Sequence, residues 1–270
     1  HALGTAVAHG DKQGLRTALL DYWQAWRQRD RRRFELPPPS PAYEASQVAH
    51  AITRAAREAV REQTNWPWPA QERGSGTGIK PKQVAIVPYG TGNIASLEES
   101  FEAIGAQAYL AASPDDLQRA DALVLPGVGH FGAAMASLRH SGLLPVLLQR
   151  IGDGVPTLGI CLGFQLLTAC SEEAPGIAGL GLLPLRTERL CPQNSRRYKV
   201  PHLGWNAIED SQSAPRLLSG IATHQQLFYY ANAYGVAPNT ELSYRQAYYL
   251  HGDPWLALVE HGNIFGVQFH

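Results

Sequence analysis

Cysteine is scarce in this chain. Only three of its 270 residues are cysteines, Cys161, Cys170 and Cys191, and no two of them have the Cys-x-x-Cys spacing. A small, odd number of widely spaced cysteines excludes a disulfide scaffold and argues against a zinc site, which needs clustered ligands. Free thiols of this kind are typical of a reducing compartment, so the sequence predicts a cytoplasmic protein without a bound metal.

Long apolar runs and an excess of charge of either sign are also absent. No apolar stretch approaches the roughly 20 residues that a membrane-spanning helix needs. Lys and Arg together number 23, as do Asp and Glu, so the formal net charge is zero at pH 7 and neither a membrane nor a nucleic acid is an expected partner. The chain starts at His1 without a signal peptide and stops at His270 within a strand-like pattern, so we expect a C-terminally truncated fragment of a longer reading frame.

The balanced total hides an uneven distribution of charge along the chain. Residues 1–80 carry 12 Lys and Arg against 8 Asp and Glu, whereas the remaining residues carry 11 against 15. Residues 1–72 also place apolar residues at helical spacing between proline-rich breaks, which predicts a basic helical extension of unknown role. Residues 73–82 are rich in Gly and Ser and have the composition of a linker. We therefore predict a second domain over residues 83–270.

The second domain alternates short apolar runs with helical patterns. The predicted strands are 83–87, 121–125, 157–160, 228–231, 255–260 and 264–269, and the predicted helices are 94–104, 133–150 and 164–170, the second of them with a break at Pro145. This alternation is typical of an α/β fold with a mainly parallel central sheet and an antiparallel portion late in the chain. In such sheets the functional groups gather at the carboxyl ends of the strands.

Gly159-Ile-Cys-Leu-Gly163 is the strongest local motif. It follows an apolar strand and precedes an apolar helix, which is the arrangement of a nucleophile elbow with Cys161 as the nucleophile. The glycines permit a sharp turn, because a side chain at either flank would crowd the neighbouring backbone. The positive end of the following helix is expected to favour the thiolate of Cys161, which is the reactive form. Cys170 and Cys191 lack this context and are interpreted as structural.

Two other segments are candidates to complete such a site. Attack of a thiolate on a carbonyl creates an oxyanion, which requires nearby hydrogen-bond donors. Pro126-Gly-Val-Gly-His-Phe-Gly132 follows another predicted strand, and its glycines allow backbone amides to approach a substrate. The N–H of Leu162, directly after the nucleophile, is a second candidate donor. His270 ends the string Phe265–His270 at the carboxyl end of its strand, so it is a candidate base on the same edge of the sheet.

Together these motifs resemble those of the class I glutamine amidotransferases. The resemblance rests on Gly159–Gln165 (GICLGFQ) and Gly266–His270 (GVQFH). Finer strings resemble those of the glutaminase subunits of imidazole glycerol phosphate synthase, namely Tyr89–Asn93, Pro126–Gly132, Ser171–Glu173, Gly179–Pro184 and Lys199–Asn206. The last of these, Lys-Val-Pro-His-Leu-Gly-Trp-Asn, is the most discriminating. The resemblance covers about residues 83–270 and implies the three-layer fold of that family, with its nucleophile elbow.

The resemblance implies a role for each matching residue. Cys161 would be the nucleophile that takes the γ-acyl group of glutamine, and His270 the acid and base that serves it. The residues implied to bind the oxyanion or the substrate are Gly127, Val128, Gly129, Leu162, Gln165 and Glu173. The residues implied at the edge of the site and at the partner interface are Lys199, Pro201, His202, Trp205 and Asn206.

The resemblance also implies what the protein acts on and with. L-glutamine would be the substrate, and the ammonia released from it would pass to a (β/α)₈-barrel synthase subunit in a heterodimer. That subunit would use the ammonia to form imidazole glycerol phosphate and aminoimidazole carboxamide ribonucleotide in L-histidine biosynthesis. The resemblance implies neither a cofactor nor a metal.

Three features depart from the family pattern. The family places a Glu two residues after the catalytic His, whereas this chain stops at His270. Pro88 stands where an Asp is usual, and Asn232 and Ala233 replace a His followed by Ser or Thr. Because a triad carboxylate orients the imidazole, we expect the chain as given to be catalytically impaired.

Two other functions stay open at the level of sequence. One is a catalytically decayed, amidotransferase-like assembly protein, which Pro88 and Asn232 favour. The other is a different Cys hydrolase of related fold, such as a peptidase, against which Gln165, Glu173 and Lys199–Asn206 argue. Turnover of glutamine would exclude the first, and a comparison of glutamine with peptides as substrates would decide the second.

Overall fold

The computed structural model describes residues 81–89, 94–194, 196–209, 215–221, 226–239 and 243–270. The predicted helical extension at 1–72, nearly all of the predicted linker at 73–82 and most of the Tyr89–Asn93 string lie outside the described residues. The predicted division into an extension, a linker and a second domain therefore stays a prediction.

The described part of the chain contains three sheets and five α-helices. The strands are β1 Gln83–Ile86, β2 Gln107–Leu110, β3 Ala122–Leu125, β4 Thr157–Ile160, β5 Thr168–Ser171, β6 Leu183–Arg189, β7 His202–Ala207, β8 Leu227–Asn232, β9 Tyr234–Val236, β10 Arg245–His251, β11 Asp253–His261 and β12 Ile264–Val267. The helices are α1 Ile94–Ala103, α2 Pro114–Gln118, α3 Phe131–His140, α4 Leu144–Gly152 and α5 Leu162–Leu167, with a single 3₁₀ turn at Arg216–Leu218.

The central sheet has seven strands in the order β10-β11-β12-β4-β3-β1-β2. The five strands from β12 to β2 are parallel to one another, and β11 is antiparallel to both of its neighbours. The predicted α/β fold, mainly parallel with a late antiparallel portion, is therefore confirmed. The carboxyl ends of β1, β3, β4 and β12 meet at one edge of the sheet, where sites of such folds are found.

Alternating side chains of the central strands feed two hydrophobic cores. Leu123 and Leu125 of β3 belong to the first core, together with the inward faces of α3, α4 and α5. Leu158 and Ile160 of β4 pack against the second core, which contains Tyr230 and the inner residues of β10 and β11. Because successive strand residues point to opposite faces, the sheet is covered on both sides and the site at its edge stands on a rigid support.

Two helix boundaries differ from the predicted ones. The helix expected at 133–150 is two helices, and the break lies at Ser141–Leu143, before Pro145. Pro145 sits in the first turn of α4, where the missing N–H of proline has no helical partner to lose. The helix expected at 164–170 is wrong beyond Leu167, because Thr168–Ser171 form β5 alongside β6. A short apolar run fits a helix and a buried strand equally well, and here the pairing with β6 decides.

Within the described residues, no single helix is long and apolar enough to cross a lipid bilayer. Among the described helices, one pair, α3 and α4 taken together, passes such a test by length and composition, and the two are bent by 96° at their break.

Candidate active site

Cys161 occupies the sharp turn between β4 and α5. Its backbone angles are φ 52° and ψ −103°, and it is the one non-glycine residue of the described ranges with positive φ. Such a conformation is costly for a residue with a side chain, and it persists where the surrounding structure enforces it. The predicted elbow is therefore present, and its strain falls on the predicted nucleophile.

The glycines on either side of Cys161 are required by close backbone approaches. A Cβ atom on Gly163 would lie 1.8 Å from the carbonyl oxygen of Leu125, at the end of the neighbouring strand β3. A Cβ atom on Gly159 would lie 2.7 Å from the backbone of Gly163 and Phe164. The turn can thus approach β3 and α5 so closely only because both positions lack a side chain.

The register of β4 and β12 brings the C-terminal string next to Cys161. Ile160 pairs with Val267, and the N–H of Cys161 donates to the carbonyl oxygen of Val267 at 2.7 Å. Gln268 follows directly, and its Nε2 donates to the Sγ of Cys161 at 3.4 Å. His270 lies two residues further along the same edge, and its main-chain N–H donates to the carbonyl oxygen of Tyr229 at 2.9 Å.

The thiol of Cys161 is protonated in this arrangement. Burial raises its pKa to about 11, against the smaller lowering effects of the Leu162 N–H and the Gln268 side chain, and the charge of Glu173 adds to the rise. The expectation that the helix end favours the thiolate is therefore wrong for this state. The helix that follows Cys161 has only six residues, and desolvation of a buried anion outweighs its dipole.

His270 has the properties of a neutral base. Partial burial lowers the pKa of its imidazole below the ordinary value of 6.5, so the ring is uncharged at pH 7. A neutral imidazole can accept a proton, which is what a general base for a protonated thiol must do. No hydrogen bond or ion pair to the His270 ring is found among the described residues.

The glycine loop after β3 lies against the amide that follows the nucleophile. The N–H of Leu162 points to the carbonyl oxygen of Gly127 at 3.4 Å, and Gly127 and Gly129 both have positive φ. Val128 between them is 46% exposed. The hydroxyl of the buried Tyr89 donates to the carbonyl oxygen of Pro126, which anchors the start of the loop. The two predicted donor segments are thus adjacent, with the Leu162 N–H engaged by a carbonyl.

Glu173 and Gln165 are each held by hydrogen bonds within the protein. One carboxylate oxygen of Glu173 accepts from the N–H of Phe131 at 2.7 Å, at the positive end of α3, where a negative charge is stabilised. Gln165 is 5% exposed, and its Nε2 donates to the carbonyl oxygen of Tyr234 at 2.9 Å and to Oε1 of Gln268 at 3.2 Å. Both predicted substrate residues therefore lie near Cys161, and both already have partners in the protein.

The predicted interface string forms β7 and the loop before it. Strand β7 pairs with β8 in a two-stranded antiparallel sheet. One face of that sheet is apolar and exposed, and we call it the hairpin face; it consists of Leu203, Trp205 and Ala207 from β7 and Leu227, Tyr229 and Ala231 from β8. Trp205 is 52% exposed and packs edge-on against Tyr229, with the ring centroids 5.7 Å apart. Lys199 and Pro201 precede this face and are exposed.

His202 and Asn206 lie on the opposite side of β7. The ring of His202 is buried and stacks on His251 and Tyr230, with centroids 4.1 and 5.2 Å apart. Burial, reinforced by the nearby His251, lowers the pKa of His202 to about 4. Asn206 donates through Nδ2 to the carbonyl oxygen of Leu250 at 2.8 Å. The structure thus places both residues on the side of β7 opposite the hairpin face.

Two residues at the site carry no role in the sequence patterns. Gln268 lies within the string Gly266–His270, between the motif glycine and the candidate base. Its one signal in the sequence is that a polar amide stands between two apolar residues at the end of a strand. Burial of an amide there is costly unless the amide has a hydrogen-bond partner. The one signal for Tyr89 is its position, in a glycine-containing turn shortly after β1.

With this geometry, the fold and the site define the class of protein. The family described as "Glutamine amidotransferase class-I" matches residues 43–270 of the chain. The chain belongs to the class I glutamine amidotransferase family, as predicted from the elbow and the C-terminal string. The match begins at residue 43, before the predicted linker.

More specific similarity is to one member of that family. The chain is 45% identical over 190 residues to "Imidazole glycerol phosphate synthase subunit HisH" of Methanothermobacter thermautotrophicus, covering 69% of this chain and 89% of that protein. It is 40% identical over 186 residues to the protein of the same name from Thermus thermophilus, covering 68% and 87% of the two chains. The resemblance found in the finer sequence strings is confirmed.

Solved structures of more distant proteins share the fold. A glutamine amidotransferase from Thermotoga maritima matches with a TM-score of 0.50 at 15% identity, covering 71% of this chain and 76% of that one. The PurLQS structure from the same organism matches with a TM-score of 0.50 at 18% identity, covering 71% and 88% of the two chains.

Proposed function

We propose that this protein is the glutaminase subunit of an imidazole glycerol phosphate synthase, acting in L-histidine biosynthesis. The observation that carries the proposal is the strained elbow of Cys161, enforced by Gly159 and Gly163, in a chain 45% identical to a subunit of that enzyme. Its three cysteines are free, and we place the protein in the cytoplasm, where thiols stay reduced.

The chemistry follows from the states of Cys161 and His270. The imidazole of His270 takes the proton of the thiol as Sγ forms a bond to the carbonyl carbon (Cδ) of the glutamine side-chain amide, and the carbonyl oxygen becomes an oxyanion. As the C–N bond breaks, the imidazolium returns its proton to the departing nitrogen, which leaves as ammonia. Water activated by the same imidazole then cleaves the thioester, which yields glutamate and restores the thiol.

Glu173 and Gln165 are suited to hold the polar groups of glutamine. The α-ammonium of the substrate carries a positive charge, and the carboxylate of Glu173 has one oxygen engaged by Phe131 and a second one without a hydrogen-bond partner among the described residues. Both amide hydrogens of Gln165 are used inside the protein, so its contribution to the substrate is as an acceptor through Oε1. The backbone of Gly127–Gly129 and Leu162 supplies the oxyanion donors.

The hairpin face is the surface that we assign to the synthase partner. Six apolar or aromatic side chains there are contributed alternately by two paired strands, and such a patch on a small sheet is typical of a protein interface. The partner that this function requires is a (β/α)₈ barrel that receives the ammonia. Lys199 and Pro201 border the face and belong to the same proposed contact.

A main-chain hydrogen bond connects the hairpin face to the catalytic histidine. The carbonyl oxygen of Tyr229, a residue of that face, accepts the main-chain N–H of His270. Before docking, the Leu162 N–H is engaged by Gly127, and the thiol has a pKa of about 11. The isolated chain therefore lacks a free oxyanion donor at Leu162, and we infer that the partner is needed for full activity.

Glutamate release from glutamine tests the proposal. The 270-residue chain is assayed alone and with the barrel subunit of the same synthase carrying its ribonucleotide ligand. We expect slow release alone and at least about tenfold faster release in the complex, since each correctly placed oxyanion donor contributes that much or more. Equal rates with and without the partner contradict the coupling. Absence of turnover in both, and also in a chain extended to place a Glu two residues after His270, would favour a decayed assembly protein. Cleavage of peptides instead of glutamine would favour another Cys hydrolase.

A further inference from the structure

Two buried glutamines form a hydrogen-bonded chain that leads from the carbonyl of Tyr234 to the sulfur of Cys161. The Nε2 of Gln165 donates to the carbonyl oxygen of Tyr234 at 2.9 Å and to Oε1 of Gln268 at 3.2 Å. The Nε2 of Gln268 donates in turn to Sγ of Cys161 at 3.4 Å, a distance within the range for a sulfur acceptor. Gln268 is completely buried and Gln165 is 5% exposed, so water does not compete for these bonds.

The carbonyl of Tyr234 determines which group donates and which accepts at each step of this chain. A main-chain carbonyl can only accept, so the amide nitrogen of Gln165 must face Tyr234. The same nitrogen has one hydrogen left for Gln268, which must therefore turn its own oxygen toward Gln165 and its nitrogen toward the sulfur. In the reverse orientation, the amide nitrogen of Gln268 would face the amide nitrogen of Gln165. Its amide oxygen would then face the sulfur of Cys161, which also carries lone pairs.

The carbonyl of Tyr234 is itself held by a second hydrogen bond. It also accepts from Nδ2 of Asn232 at 2.9 Å, and the same nitrogen donates to the hydroxyl of Tyr249 at 2.9 Å. Asn232 ends β8 and is 5% exposed. Two buried amides therefore converge on one carbonyl oxygen, which holds that oxygen in place at the start of the chain.

We propose that Gln268 is a positioning residue for Cys161, held by Gln165 and the Tyr234 carbonyl so that it always offers the sulfur a hydrogen-bond donor. The donor stabilises the anion that forms when the thiol loses its proton, in an interior that otherwise opposes charge. It also restricts the sulfur to one direction at the end of β4. The inference rests on the proposed function in taking Cys161 as the nucleophile, but its test does not require turnover.

The test is the reactivity of the Cys161 thiol in the full chain with Cys170→Ser and Cys191→Ser, so that one thiol remains. Gln268→Met keeps the length of the side chain and removes the donor. We expect alkylation of Cys161 by iodoacetamide at pH 8.5 to slow by about three- to tenfold. Loss of one hydrogen bond to the sulfur anion lowers the fraction of Cys161 that is thiolate. The remaining thiolate is more nucleophilic, which offsets part of that loss. The infrared S–H stretching band of Cys161 should shift, since that band responds to hydrogen bonding at sulfur.

The matched control is Gln246→Met in the same background. Gln246 is a half-buried glutamine of β10 whose amide bonds to the main chain of Asn239, away from Cys161. We expect its alkylation rate to stay within about twofold of the parent and its S–H band to be unchanged. A slower rate in both variants would indicate a general change of packing and would overturn the proposal.

A second variant covers failure of Gln268→Met to fold. Gln165→Met leaves Gln268 in place but removes the donor that sets its orientation, so we expect the same S–H shift and a smaller fall in alkylation rate. An unchanged rate and an unchanged band in either folded variant would show that Gln268 does not act on the sulfur. A parent protein that shows the expected alkylation difference but no glutaminase activity with the partner present would count against the proposed function instead.

Discussion

The main-chain N–H of Cys161 donates to the carbonyl oxygen of Val267 at 2.7 Å. This bond continues the parallel ladder of β4 and β12 for one residue beyond the last strand pair. It fixes the start of Gln268–His270 relative to the elbow, because the chain can extend only about 3.3 Å per residue from that point. Two segments more than 100 residues apart in sequence thus meet at one edge of the sheet, and the distance between them is set by sheet register.

Replacement of the nucleophile should abolish glutaminase activity without loss of the fold. Cys161→Ser is close in size to the native residue but cannot supply a thiolate, so turnover with the partner present should fall below detection while the melting temperature changes little. Cys170→Ala, in β5, should retain most of the activity. If the Cys170 variant were inactive, or a glutamine-derived electrophile labelled Cys170 first, the assignment of Cys161 would be wrong.

The elbow should not tolerate a methyl group at its second glycine. A Cβ at position 163 would lie 1.8 Å from the Leu125 carbonyl oxygen, so Gly163→Ala must displace α5 or β3. We expect a loss of about 3 kcal/mol or more in the free energy of unfolding, measured with urea. Gly152→Ala is the control, since nothing lies within 4 Å of a Cβ there, and its effect should stay below about 1 kcal/mol. Similar losses at both positions would contradict the packing argument.

The dependence of activity on pH should reflect His270 rather than a preformed thiolate. The neutral imidazole is the active form, so kcat/KM of the complex should fall as the pH drops through a pKa below 6.5. Between pH 7 and 9 we expect a plateau, because the thiol with its pKa of about 11 stays protonated until His270 takes the proton. A steep rise across that interval would mean that free thiolate is the reacting species.

The buried His202 should make the protein less stable in mild acid. Its pKa is about 4 in the folded protein and near 6.5 when unfolded, so protons bind preferentially to the unfolded state as the pH falls between these values. From pH 7 to pH 5 this residue should lower the free energy of unfolding by about 2 kcal/mol. His202→Phe keeps an aromatic ring in the stack and should lose about that much less over the same interval. Equal losses in the two proteins would show that His202 titrates normally.

The hairpin face should carry the binding of the synthase subunit. Trp205 is the largest exposed side chain on it, and truncation of a central aromatic contact typically costs enough to weaken binding by about 10- to 100-fold. We expect Trp205→Ala to raise the Kd for the barrel subunit by that factor, measured by titration calorimetry. Leu110→Ala, on the edge strand β2 at 47% exposure, is the control and should bind normally. Normal binding by the Trp205 variant would place the interface elsewhere.

Most of the candidate site could be predicted from local sequence motifs. The elbow could be predicted because Gly159 and Gly163 bracket Cys161 at fixed spacing, and a strand and a helix are recognisable on either side. The role of Gln268 could not, because the bond to Cys161 depends on which strand lies beside β4. Likewise, the division of Lys199–Asn206 into an exposed face and a buried one needed the pairing of β7 with β8, which separates Trp205 from His202.

The sequence by itself determined the fold class and the family, and it predicts Cys161 as the nucleophile, since each of these depends on short motifs of neighbouring residues. Tertiary structure alone decided the protonation of that nucleophile. Burial among β3, β12 and α5 removes the water that would solvate a charge and outweighs the dipole of the short helix after Cys161, so the thiol stays protonated. Desolvation is the sum of contacts from distant parts of the chain, so no local pattern of residues reports it.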